Sequence, residues 1–165
     1  MLHVRASFIA WLLAFGLMAG ASGAGALEVG DTVRLPDVQT LDGRTVSAAS
    51  LAGKPLIVEV WASWCPFCAL QNPRLQKLYE RTRGTPLQVL TISIDKDPRE
   101  ATEYLRKRGY TFPATMDSPA LRSVFSPRKG LPELYVIDAR GRVVQKEVGE
   151  MLEDEVAALD RYAKP

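Results

Sequence analysis

Histidine occurs once in this 165-residue chain, at His3, and cysteine only twice, at Cys65 and Cys68. A structural zinc site asks for about four ligands, and no second pair stands here to complete one. A purely structural disulfide between Cys65 and Cys68 would close a very small ring. Neither sign of charge is in excess: 21 Lys and Arg against 19 Asp and Glu leave a net of +2. Such a balance offers no footprint for nucleic acid or an anionic membrane. Repeats, low-complexity tracts and internal linkers are missing as well. The roughly 139 residues after Ala26 suit one domain with a real core.

What the chain does hold is both cysteines in one C-x-x-C, within Trp61-Ala62-Ser63-Trp64-Cys65-Pro66-Phe67-Cys68. The preceding run Pro55–Trp61 is short, β-branched and apolar on both alternating faces, as a central strand covered on each side by helices must be. Pro66 suits a first helical position, and Leu70, Leu75, Leu78 and Tyr79 follow at loosely helical intervals. Cys65 is therefore expected to open a helix, where unpaired amides and the positive dipole end favour a thiolate and make it an attacking nucleophile. Cys68, one turn inward, is placed to resolve a mixed disulfide and leave a closed Cys65–Cys68 bond, with no other cofactor required.

Further along, Leu87–Ile94 reads as a second core strand. Asp97-Pro98-Arg99-Glu100 combines a cap, a first-turn proline and a capping-box acid for a helix that Gly109 stops. Ser118-Pro119 repeats that signal for a short helix through Phe125. Glu133–Ile137 and Arg142–Val148 form an antiparallel pair about Ala139-Arg140-Gly141, and Leu152–Tyr162 is a closing amphipathic helix. Leu27–Lys54 reads as an N-terminal β-hairpin with its turn at Leu41–Arg44. The sum is an α/β chain, a mixed sheet with helices on both faces.

On Trp61–Cys68, Pro73, Gly130-Leu131-Pro132 and Ile137–Val144 the chain resembles the thioredoxin superfamily, and more closely its periplasmic TlpA, ResA and CcmG type. The likeness implies a thioredoxin-like fold over residues 27–165 and a thiol:disulfide oxidoreductase that reduces protein disulfides, in cytochrome maturation or oxidase assembly. It implies that Pro132 is cis, turning the Leu131 backbone toward an extended substrate strand. It implies a kink at Pro73. Trp64, Pro66 and Phe67 are the expected substrate-facing residues, while Trp61 belongs to the core. Glu59, six residues before Cys65, stands where thioredoxins carry a buried acid. Inside an apolar strand its pKa is expected to rise into the range useful for exchanging a proton with Cys68. Glu133, where relatives commonly carry a small hydroxyl residue, is expected either at the lip of the substrate groove or as a solvated strand residue.

Met1–Arg5 carries one positive charge, Ala6–Met18 is apolar, and Ala24-Gly25-Ala26 supplies small residues for cleavage, so residues 1–26 read as a secretory signal. An uncleaved anchor is the competing reading, because the apolar length approaches the roughly 20 residues needed to span a bilayer. Export to the periplasm would drive the dithiol to its disulfide unless a membrane thiol donor of the CcdA or DsbD type recharges it. The chain is expected to act as a monomer. Two other functions compete: a peroxidase of the same fold, whose P-x-x-x-T-x-x-C frame is missing, and a copper metallochaperone, for which the segment after the leader has no histidine.

Overall fold

The computed structural model describes residues 25–164, so the proposed leader at 1–26 lies almost wholly outside the described residues. In chain order the elements are β1 (Val38–Gln39), β2 (Thr45–Val46), α1 (Ala48–Leu51), β3 (Leu56–Trp61), α2 (Pro66–Arg81) and β4 (Gln88–Ser93), then α3 (Pro98–Arg108), β5 (Ala114–Met116), α4 (Pro119–Phe125), β6 (Glu133–Ile137), β7 (Val143–Val148) and α5 (Glu153–Ala157). A 3₁₀ helix, Ala158–Ala163, closes the described chain.

Five strands form one mixed sheet in the order β5-β4-β3-β6-β7, with β3 parallel to β4 and antiparallel to β6. All six residues of β3 are buried, the outcome demanded by an apolar run whose two faces are both covered. Ile57 meets Leu75 and Leu78 of α2, Val156 of α5 and Leu159. On the opposite face Val58 and Val60 join Leu121 and Phe125 of α4 with Val33 and Val38. The thioredoxin-like architecture with an N-terminal hairpin is thus realised. α2 runs on through Pro73 as one helix.

The segment before β3 touches both edges of the sheet. Residues 30–33 lie along the start of β7, through Gly30 N–H to Val143 O at 2.9 Å and Val33 N–H to Gly141 O at 2.7 Å. Ten residues later the hairpin reaches β5, with Leu41 N–H donating to Ala114 O at 2.7 Å and Thr115 Oγ1 to Gln39 O at 2.7 Å. These contacts occupy part of each edge, where unpaired strand groups would otherwise be a template for aggregation.

At α3 the Asp97 carboxylate accepts from Arg99 N–H at 2.9 Å, and Gly109, at φ 69°, closes the helix in the left-handed region where glycine has no Cβ penalty. Three features depart from expectation. β5 is a strand that no local pattern announces, a three-residue edge paired parallel to β4. The closing helix turns 3₁₀ after Ala157. Glu133, expected in contact with solvent, is fully buried, because β6 has a neighbour on each side and sets Glu133 against Val60 and Val148.

The buried Glu133 carboxylate has Lys146 Nζ at 3.4 Å as its ion-pair partner, without the alignment of a hydrogen bond. Lys146 itself is only 6% exposed in its side chain. It donates to Leu27 O at 2.7 Å and lies 5.5 Å from the centre of the Tyr135 ring. Removing one member strands a buried charge, whereas removing both does not. Lys146→Met is expected to lower the unfolding free energy by about 3–5 kcal/mol in urea titrations. Most of that loss should return in Glu133→Gln/Lys146→Met; equal losses in the single and double variants would show that the pair is not coupled.

Candidate active site

The chain leaves β3 at Trp61 and reaches Cys65 through a three-residue loop that Asp95, just past β4, holds in place. Its carboxylate accepts from Ser63 N–H at 3.1 Å, Ser63 Oγ at 2.8 Å and Ser93 Oγ at 2.7 Å. Pro66 then takes the first position of α2, where a missing N–H costs nothing, and Cys65 becomes the cap residue. Its Sγ accepts the Cys68 N–H at 3.2 Å, so a helix-end amide donates directly to the sulfur. Both cysteines are free thiols. Cys65 is 4% exposed and Cys68 is sealed off, an asymmetry that leaves one sulfur to meet a partner and one to wait behind it. Burial pushes the Cys68 thiol up, reinforced by its contact with Cys65 and the nearby Glu59.

Glu59 is completely buried on the α2 side of β3. Gln71 Nε2 donates to its Oε2 at 2.6 Å, and Gln71 Oε1 in turn accepts Met151 N–H at 2.7 Å, which fixes the amide's orientation. With the Asn72 amide turned so that both its ends are satisfied, its nitrogen donates to Glu59 Oε1 at 2.7 Å and to Cys68 O at 3.2 Å. Burial raises the Glu59 pKa to about 7, against the lowering effect of the Gln71 donor. A carboxyl near neutrality, one amide away from the inner cysteine, can take up and return a proton.

Around Cys65 the surface is apolar and open. Trp64 is 64% exposed, Phe67 55% and Leu70 51%, while Trp61 is buried beneath and packs its ring 5.3 Å from that of Tyr104. Opposite Trp64 and Pro66, Leu131 forms the other side of a shallow groove. The Leu131–Pro132 peptide is cis. Neither the N–H nor the C=O of Leu131 enters a hydrogen bond among the described residues, which leaves both for an added strand. Gly130 permits this close loop, since a Cβ there would stand 3.1 Å from Val148 Cγ1.

Every site residue expected from the sequence is therefore at or beside this groove, except Glu59, which is buried behind it and linked to the Cys68 carbonyl through the Asn72 amide. Sequence reasoning did not find Asp95, Gln71 or Asn72. Gln71 and Asn72 stand three and four residues after Cys68, the spacing that stacks side chains on one helix face, and that signal was available. Arg128 and Lys129, at the groove's edge, also escaped notice; each is already paired, with Asp117 at 2.8 Å and Glu28 at 2.8 Å. No group of three or more His, Cys, Asp or Glu side chains is arranged to hold a metal among the described residues.

The redoxin family model matches residues 28–162. Thiol-disulfide oxidoreductase ResA of Bacillus thuringiensis is 24% identical over 128 residues, covering 77% of this chain and 72% of its own. Thiol:disulfide interchange protein DsbE of Pseudomonas aeruginosa is 31% identical over 116 residues, 70% of this chain and 62% of its own. Among solved structures, a thiol:disulfide interchange protein of the thioredoxin family from Chlorobium tepidum superposes with a TM-score of 0.71 at 26% identity, covering 81% of this chain and 97% of the other. StoA from Bacillus subtilis shares the fold at a TM-score of 0.67 and 19% identity, over 78% and 98% of the two chains.

The Glu59 carboxyl links stability to pH. At pH 4 it is mostly protonated whether the chain is folded or not; between its ordinary value of 4.5 and about 7 the folded state holds the proton more tightly, so its burial cost appears as pH rises and is complete above 7. Glu59→Gln can keep its hydrogen bonds, because the Asn72 amide can turn to accept. Its stability relative to the natural protein is expected to improve by up to about 3 kcal/mol between pH 4 and pH 8. Parallel urea-unfolding curves across that range would remove Glu59 from the buried, titrating role.

Proposed function

Because the chain belongs to the redoxin family and is a thiol-disulfide oxidoreductase of the ResA and DsbE type, we propose that it is exported and reduces protein disulfides through Cys65 and Cys68. The carrying observation is the pairing of a sulfur at the mouth of the groove with a sealed one directly behind it. In this reading the Cys65 thiolate attacks one sulfur of a substrate disulfide, forms a mixed disulfide and expels the other substrate sulfur as a thiolate. Cys68, giving its proton to Glu59, attacks the Cys65 sulfur and expels the second substrate thiolate. Two electrons have then passed to the substrate, and the enzyme holds a Cys65–Cys68 disulfide.

Substrate selection falls to Trp64, Phe67 and Leu131: two exposed rings for an apolar segment, and a free backbone for an extended strand. Pro66 tunes the helix start and Pro132 shapes the strand-binding loop. The leader at residues 1–26, cleaved or kept as an anchor, would deliver the protein to the periplasm. There a membrane thiol donor of the CcdA or DsbD type would restore the dithiol. Cytochrome maturation or oxidase assembly is the setting this implies, with the protein working as a monomer. Among the described residues no helix is long and apolar enough to cross a membrane.

With a protein disulfide as substrate, Cys65→Ser is expected to abolish turnover and Cys68→Ser to accumulate a mixed disulfide visible on a non-reducing gel. Full activity in Cys65→Ser would overturn the mechanism. Glu59→Gln is expected to slow the resolving step by about 10²-fold, the low end for a lost general acid–base group, and to abolish a rate rise centred near pH 7. The couple's reduction potential tests direction: about −270 mV marks a reductant and about −120 mV an oxidant.

A further inference from the structure

At the end of the sheet remote from Cys65 there is a second concavity, of about 490 Å³, within the size range of small-molecule sites. Its floor is Leu56, where β3 begins, and Ile137, where β6 ends, both buried; Leu35 and Leu51 stand at its sides. Three cations line the opening, Arg34, Lys54 and Arg140, all exposed. None has a carboxylate within ion-pair distance among the described residues, which is also true of exposed cations elsewhere such as Arg83 and Lys96; what sets these three apart is that they line one apolar cavity. The one acid in the lining, Asp138, is committed to its own turn: its Oδ1 accepts Arg140 N–H at 2.8 Å and Arg142 N–H at 2.9 Å.

An apolar cavity ringed by unanswered positive charge complements a molecule with a hydrocarbon body and an anionic head. The apolar stretch at the start of the chain does not fit that description, since its one acidic or basic residue is the cation Arg5. We propose that this cavity binds a medium-chain fatty acid, its acyl chain over Leu56 and Ile137 and its carboxylate among Arg34, Lys54 and Arg140. The site is independent of the dithiol, which follows the other end of β3.

Calorimetric titration of the full chain with dodecanoate, kept below its micellar concentration, tests this. Saturable one-to-one binding is expected. It should weaken at least ten-fold in Arg34→Glu/Arg140→Glu and in Ala49→Phe, an exposed lining position where added bulk narrows the cavity. Unchanged circular dichroism and unchanged disulfide reduction should show that these variants fold. Dodecanol, with the same chain and no charge, and acetate, with the charge and no chain, should each bind at least ten-fold more weakly. Absence of saturable binding, equal binding of dodecanol or acetate, or indifference to both variants would overturn the proposal.

Discussion

Complete burial of the strand Leu56–Trp61 is the constraint from which the rest of the molecule follows. A strand covered on both faces has to be apolar on both, and it needs a paired neighbour on each side to satisfy its backbone, which β4 and β6 supply. Its rigid end is also the launching point for Cys65. Only one of its six residues breaks the apolar rule, and that residue, Glu59, sits behind the inner cysteine. The cost of burying it is what moves its proton affinity to a useful range.

The two sulfurs differ because the helix treats them differently. Cys65 stands at the cap, where a backbone amide donates to it and the groove opens; Cys68 lies a turn inside, against Trp61 and Ala101. The same helix then presents Gln71 and Asn72 to Glu59, so a single element carries the nucleophile, the resolving thiol and the side chains that hold the acid. Asp95 supplies the remaining order by fixing the loop between strand and helix from the adjacent strand's end, where ligands of α/β sheets commonly gather.

Charge has been taken inside the other half of the sheet as well. Glu133 and Lys146 meet diagonally across β6 and β7, and Lys146 also ties down Leu27 at the start of the domain. Lys129, in the loop before Pro132, is held by Glu28 from the same starting segment. The beginning of the domain is thereby joined to the loop that borders the dithiol, besides touching both sheet edges.

Local chemistry alone was enough for β3, for β4, for the Asp97 and Gly109 boundaries of α3, and for the cysteine pair at a helix start, because apolar period, caps and a first-turn proline act over a few residues. β5 was not legible: Ala114-Thr115-Met116 is too short to show a period and is a strand only because β4 lies beside it. Nor could Glu133 be placed, since a carboxylate in a strand reads as solvated until a lysine thirteen residues later is seen to fold against it. The partners of Glu59, the clamp at Asp95 and the cavity under Arg34 and Arg140 were likewise decided only by tertiary contact. Sequence fixes what each residue can do within a turn of helix or a pair of strands; which distant groups meet depends on how the buried faces close over one another.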